Sequence, residues 1–391
     1  MLSKPVKTRF WKKPRKTLAD VLKREAKEFC LQTALHGYRF IVLPKKVLLE
    51  RQFIFYPLVT WSAVCVASLI TAFVLLFIAW FNFQANPTVL ITDSTHYAIW
   101  NYPFPAVTIC DYNVISKKKA LALAETLSTT RPKYAFQSFC FGIRKAEGRT
   151  PQEMAWDLRL LFQLVKYTDP DVPQENYTWI RNIVEENGLS IGDLLDELSP
   201  SCEELLTNCR WKGEPKRCEH LFERVLTTEG FCCSFNYYAL RNHTFNRMIA
   251  SKVPTKPRRV SACGHQTALE VTALINPSDY FAAHLPSFGH RILVHNPYQF
   301  PDWSWQEILS EINTLLLVSV SPTLTYSSAD IRSLPIRSRG CLFTDEMNLD
   351  NFNGYNFHNC MMRCRMNLTI SLCGCRPYYS GNGTRHFEQC A

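Results

Sequence analysis

The sequence predicts a membrane protein: one N-terminal transmembrane helix, then an α+β, disulfide-rich extracellular domain. Three observations predict it. Residues Phe53 to Phe81 are 29 consecutive positions without a charge. The whole excess of Lys and Arg lies on the N-terminal side of that run. Fourteen of the sixteen cysteines lie on its C-terminal side.

As a helix the run would measure about 44 Å at 1.5 Å per residue. A hydrocarbon core is only ~30 Å thick. A buried helix of a globular protein would carry charges on an outer face, and this one carries none. Residues 1–51 hold 14 Lys/Arg against 4 Asp/Glu, leaving 30 of each sign in 52–391. The net charge of +10 therefore describes a short leading segment and not a nucleic-acid-binding domain. Positive segments stay inside, so residues 1–52 read as cytoplasmic, 53–81 as the span and 82–391 as extracellular. The run starts too late and is too long for a signal peptide, so it reads as an uncleaved anchor. No later run approaches its length, so the chain as written reads as single-pass.

Cys30 and Cys65 lie before and within the span, and all other cysteines follow it. That distribution fits an oxidising compartment beyond the membrane. Glycosylation sequons at Asn176, Asn242, Asn367 and Asn382 also all follow the span, as lumenal acceptors must.

Residues 1–16 carry Lys4, Lys7, Arg9, Lys12, Lys13, Arg15 and Lys16 and no acid. They read either as an orienting, solvated tail or as a segment drawn to anionic lipid. Thr17-Leu-Ala-Asp20 resembles a capping box. Leu18, Leu22, Ala26 and Phe29 then share one helical face, and the helix is expected to end near His36-Gly37. Beyond the span, Tyr102-Pro-Phe-Pro105 leads an extended chain into a strand at Ala106–Cys110. Thr150-Pro-Gln-Glu153 sets a helix start, followed at helical spacing by Met154, Leu158, Leu161, Phe162 and Val165. Ser190-Ile-Gly-Asp193 starts a second helix burying Leu194, Leu195 and Leu198, stopped by Ser199-Pro200. Strands are expected at Ser234–Tyr238, Ile292–Val294 and Leu315–Val320, with a basic loop at 250–260. Helices early and strands before and after give the α+β assignment.

The last fifty residues carry Cys360-x3-Cys364-x8-Cys373-x-Cys375. Inside a cell zinc would compete; outside, disulfides are the better reading. No GxSxG, HExxH, P-loop or dinucleotide fingerprint occurs. His284, His290 and His295 have no partners at ligand spacing and read as satisfied surface or loop residues. The chain is expected not to be an enzyme and to need no cofactor, catalytic residue or metal.

Four segments in order carry a resemblance: Leu35-His36-Gly37, Phe104-Pro-Ala-Val-Thr-Ile-Cys110, Gly230-Phe-Cys-Cys-Ser-Phe-Asn236 and the terminal cysteine cluster. Together they resemble the degenerin/epithelial sodium channel (DEG/ENaC) family, and the paired Cys232-Cys233 resembles its insect pickpocket branch. The resemblance covers residues 30 to 390. It implies a subunit of an amiloride-sensitive sodium channel in the plasma membrane, conducting Na⁺ in a ligand- or mechanically gated homo- or heterotrimer with other DEG/ENaC subunits. It implies a hand-like ectodomain, with Phe104–Cys110 in the palm, 151–165 and 191–198 in the finger, and the 341–375 cysteines in the thumb. His36 and Gly37 match the family's gating motif. Its disulfide pattern, carried over, pairs Cys110 with Cys232, Cys202 with Cys209, and Cys375 with Cys390.

The chain also departs from the family. Members continue into a second membrane helix bearing the selectivity filter, whereas this sequence stops at Ala391. The expectation is a chain truncated before that helix and non-conducting by itself, with Cys341, Cys360, Cys364 and Cys373 lacking their partners. Cys140, Cys218, Cys233 and Cys263 have no assignable partner, although Cys232 and Cys233 should not bridge each other. Asp111 stands where the family more often has Asn. The alternatives are a regulatory or dominant-negative single-pass subunit, assembling through Ala63-xxx-Ala67 and Ser68-xxx-Ala72, or a single-pass adhesion or receptor ectodomain.

Overall fold

The computed structural model describes residues 17–34, 38–42, 57–85, 88–129, 150–162, 191–240, 254, 256–302, 307–349 and 352–380. They fall into two compact units, residues 1–91 with 328–340 and residues 92–327 with 341–391.

The first unit is helical: α1 (Leu18–Gln32), α2 (Tyr38–Val42) and α3 (Pro57–Ala85). The capping box at the start of α1 forms, with Thr17 N donating to Asp20 Oδ2 at 3.3 Å. The helix stops at Gln32, where Thr33 turns to extended backbone, short of the expected end. The Phe29 ring meets Tyr38 of α2 edge-on at 6.2 Å. Helix α3 opens on proline, which is suited to the first helical turn. Its Trp61–Ala85 portion is, among the described residues, the one helix long and apolar enough to cross a membrane.

The second unit is built on a five-stranded antiparallel sheet. Its strands, with those of two smaller sheets, are β1 (Ala106–Asp111), β2 (Asn113–Ser116), β3 (Leu206–Trp211), β4 (Glu214–Pro215), β5 (Phe222–Thr227), β6 (Gly230–Phe235), β7 (Leu269–Ala273), β8 (Tyr280–Ala283), β9 (Gly289–His295) and β10 (Glu307–Glu311). The large sheet runs β10-β9-β1-β6-β5; β2 pairs β8, and β3 lies between β4 and β7. The expected strand at Ala106–Cys110 is β1, the centre of the sheet. The expected strand at Ser234–Tyr238 is displaced: β6 ends at Phe235, and Asn236 takes a positive φ of 59°. The expected strand at Leu315–Val320 is not formed. Those residues belong to no ladder, and Leu315 is 88% exposed. An apolar, β-branched run is a local signal, whereas a strand also needs a partner in register.

Helices α4 (Lys117–Thr129), α5 (Pro151–Leu158), α6 (Ile191–Leu198) and α7 (Cys202–Leu205) precede or interrupt the strands, and α8 (Phe357–Cys373) follows them. The Thr150 capping box forms as expected, with Thr150 N donating to Glu153 Oε2 at 2.8 Å and Glu153 N to Thr150 Oγ1 at 3.3 Å. Met154, Leu158, Leu161, Leu194, Leu195 and Leu198 share one buried cluster with Val114, Ile115, Leu226 and Phe231. Val165 lies outside the described residues. A second core is aromatic: Phe235 packs against Trp211 at 4.9 Å, Phe222 at 5.8 Å and Phe104 at 5.9 Å. A third places Met362 of α8 with Phe300, Leu349 and Phe352.

Candidate functional site: the stapled sheet and its charged junction

Neighbouring residues of a strand face opposite sides of a sheet, and β6 uses this at Cys232 and Cys233. Cys232 bridges to Cys110 on the adjacent strand, one step beyond the Ile109–Cys233 register pair. Cys233 bridges away from β1 to Cys202, the first residue of α7. Cys209 bridges to Cys218. The expected Cys202–Cys209 pairing is therefore wrong: Cys202 takes Cys233 and Cys209 takes Cys218. The Cys202–Cys209 pairing is the one the family resemblance implies. Strand β3 instead carries Cys209 away from α7, while strand alternation turns Cys233 toward it.

Beside these bridges runs a buried polar line. Thr108 Oγ1 lies 2.8 Å from Ser234 Oγ and 2.9 Å from His295 Nε2. His295 Nδ1 lies 3.0 Å from the Asn296 carbonyl, which can only accept, so the proton sits on Nδ1 and Nε2 accepts from Thr108. Burial pushes the His295 pKa down to about 4, which keeps the ring neutral. His284, His290 and His295 are all buried; His284 lies in the loop after β8, as read, whereas the surface-or-loop reading is corrected for the two strand histidines. His290 and His295 occupy strand β9, whose period of two the histidine spacing does not display.

At the other end of β1, Asp111 accepts from Tyr280 OH at 2.9 Å and from Asn113 N at 3.0 Å. Its pKa is raised to about 6, chiefly by desolvation, with the neighbouring Asp279 adding to the effect. Asn113 Oδ1 in turn accepts from Phe281 N at 2.9 Å, which fixes β8 beside β2.

The two-residue turn Thr228-Glu229 between β5 and β6 is where the unit's elements meet. Glu229 Oε2 contacts Arg291 NH1 of β9 at 2.5 Å and His284 Nε2 at 3.2 Å. Arg291 Nε reaches Glu307 of β10 at 3.0 Å. The Thr228 carbonyl accepts from Tyr378 OH at 2.9 Å, and Thr228 Oγ1 donates to Asp302 at 3.5 Å. Asp302 is held by Arg365 of α8. The Phe162 ring packs edge-on against His284 at 5.3 Å. One turn thus touches β9, Asp302 and Tyr378, and reaches the helical layer through His284.

A second cation, Arg224 of β5, ties the end of α6 to the sheet. It donates to the Asp196 and Pro200 carbonyls at 2.6 and 2.9 Å, satisfying acceptors that a helix end leaves open, and pairs with the Asp196 carboxylate. The sequence reading missed Glu229, Arg291, Asp302, Arg365 and Arg224. The one sequence signal was charge inside apolar strand patterns, which marks a buried cation or carboxylate but not its partner dozens of residues away.

His36, Gly37, Cys140, Cys390, Asn176, Asn242 and Asn382 lie outside the described residues. Asn367 is exposed on α8. Cys375 is disulfide-bonded. Cys341, Cys360, Cys364, Cys373 and Cys263 are free thiols. Among the described residues no group of three His, Cys, Asp or Glu side chains could hold a metal ion. The arrangement is a cross-linked scaffold whose charged contacts join elements.

Residues 29–391 match the family described as amiloride-sensitive sodium channel. Sodium channel protein Nach of Drosophila ananassae is 25% identical over 362 residues, covering 93% of this chain and 63% of that protein. Pickpocket protein 28 of Drosophila melanogaster is 24% identical over 385 residues, covering 92% and 56%. Nach of Drosophila virilis is 29% identical over 200 residues, covering 51% and 49%. The chain spans less than two-thirds of the length of these relatives. The family is one of ion channels and not of enzymes. With its apolar N-terminal helix and disulfide-stapled sheet, the chain belongs to the amiloride-sensitive sodium channel, or DEG/ENaC, family.

Proposed function

We propose that this chain is a subunit of an amiloride-sensitive sodium channel of the plasma membrane. The observation that carries the reading is the family match from residue 29 to 391. An ion cannot cross hydrocarbon beside a single apolar helix, because the path needs polar groups replacing its hydration shell. Helix α3 therefore works as one wall of an assembly, and the reading places it in a homo- or heterotrimer with other DEG/ENaC subunits. Residues 1–52 are then cytoplasmic and 82–391 extracellular, with sugars on Asn176, Asn242, Asn367 and Asn382. His36 and Gly37 act in gating, under a ligand or a mechanical load. The five-stranded sheet corresponds to the palm, α4 to α6 to the finger and α8 to the thumb. Expression in oocytes, alone and with a full-length relative, tests this under voltage clamp. A sodium current that amiloride blocks and that depends on this chain is expected; unchanged currents in both settings overturn it.

A second reading, a regulatory or dominant-negative subunit, is favoured by the small residues Ala63, Ala67, Ser68 and Ala72 on α3, which permit close helix approach. Co-expression separates the two: a dominant-negative subunit lowers the relative's current while co-purifying with it.

A further inference from the structure

Helix α1 carries an apolar face that the described residues leave open. At 100° per residue, Leu18, Leu22, Ala26 and Phe29 fall within an arc of about 80°. Arg24 and Lys27 lie on the opposite side, and Lys23 lies on the flank. Leu18, Leu22 and Phe29 are 78%, 61% and 57% exposed, and no residue of α1 is buried. The contact described for this face is the edge of Tyr38 against Phe29. A helix of 15 residues is marginal in water without a surface to bury its apolar stripe.

Two facts on the chain select the surface. The seven cations of residues 1–16, with no acid among them, adjoin the first turn of α1. Helix α1 itself is balanced, with Lys23, Arg24 and Lys27 against Asp20, Glu25 and Glu28, so the adjoining cations supply the attraction and the apolar arc supplies the insertion. The chain from Gln32 to Pro57 also tethers α1 to a helix able to span a bilayer, which keeps it close to a lipid surface. An amphipathic helix beside a polybasic segment is the composition of an in-plane, interfacial helix.

We propose that α1 lies in the headgroup boundary of an anionic membrane, with Leu18, Leu22, Ala26 and Phe29 toward the acyl chains. This rests on the reading of α3 as a membrane anchor. The test is amide hydrogen exchange of the full chain in phosphatidylcholine nanodiscs, with and without about one-third phosphatidylserine. In the serine-containing discs, amides of residues 22–32 exchange about tenfold more slowly than in phosphatidylcholine alone. The L22E/F29E variant loses that slowing and L22M/F29M keeps it. Equal exchange in the two compositions overturns the proposal. So does slowing that survives L22E/F29E, which would mean that protein covers the helix. Peptides from α3 report the anchor separately. Protected α3 with unslowed α1 sinks the docking alone; freely exchanging α3 sinks the anchor reading and, with it, the premise of the proposal.

Discussion

Glu229 Oε2 lies 2.5 Å from Arg291 NH1, with the two side chains only 11% and 15% exposed. The carboxylate sits in a hairpin turn and the guanidinium in the strand on the far side of β1. So dry a pair escapes most screening by salt. Arg291 also faces Glu307, so one cation stands between two carboxylates.

Removing that cation leaves both carboxylates without it. Arg291→Met is expected to lower stability by about 3–5 kcal/mol, the usual cost of breaking a buried pair from one side. Glu229→Gln costs less, because the amide can still accept from Arg291, which keeps Glu307. The double variant costs less than the sum of the two, because they share one contact. Urea unfolding of the full chain in micelles checks this, and strict additivity would refute the pairing.

The bridges make a covalent prediction. A non-reducing peptide map joins the peptides of Cys202 and Cys233, and those of Cys209 and Cys218; a Cys202–Cys209 peptide would contradict the structure. Loop length then orders the stability losses. Closing 31 residues is worth about 3.5–4 kcal/mol and closing 9 about 2.5. Cys233→Ser should therefore destabilise more than Cys218→Ser.

These bridges also mark the limit of what the sequence discloses. Thr150, Glu153 and Pro151 act within one turn, so their helix start is readable from a few letters. Phe104–Cys110 is readable because proline forces extension before a β-branched run. Glu229 and Arg291, or Cys202 and Cys233, are neighbours only after the chain has folded back, and no local pattern encodes the choice of partner. Leu315–Val320 shows the converse: its letters suit a strand, but no ladder partner lies beside it among the described residues.

Gly289 opens β9 where two backbones nearly touch. A Cβ there would stand 2.2 Å from the Ser310 carbonyl oxygen and 2.8 Å from the Tyr112 ring. The ring can move, but the carbonyl belongs to the β9–β10 ladder and cannot retreat without breaking it. Gly289→Ala is expected to cost about 1–3 kcal/mol and to raise exchange at Ser310 and Glu311. Unchanged exchange there would show that the ladder tolerates the methyl group.

Among the groups through which acid acts on this fold, His295 and Asp111 oppose each other. His295 has its pKa pushed down to about 4 by burial, against an ordinary value near 6.5. As pH falls from 6.5 toward 4 the unfolded chain takes a proton that the native one refuses, and stability declines, by up to about 3 kcal/mol. Asp111 has its pKa raised to about 6, so between roughly pH 4 and 6 the native state holds the extra proton. Stability from that group rises as pH falls through the same window. The two shifts are similar in size and opposite in sign, so the two slopes are comparable over that window. In the native sequence the two slopes largely offset. Asp111→Asn removes the compensation, so unfolding measured from pH 7 to pH 4 should show a steeper acid loss than the parent chain. His295→Gln removes the other arm, and that variant should hold or gain stability on acidification. Parallel pH profiles for the parent and both variants would show that neither group titrates differently in the folded and unfolded states.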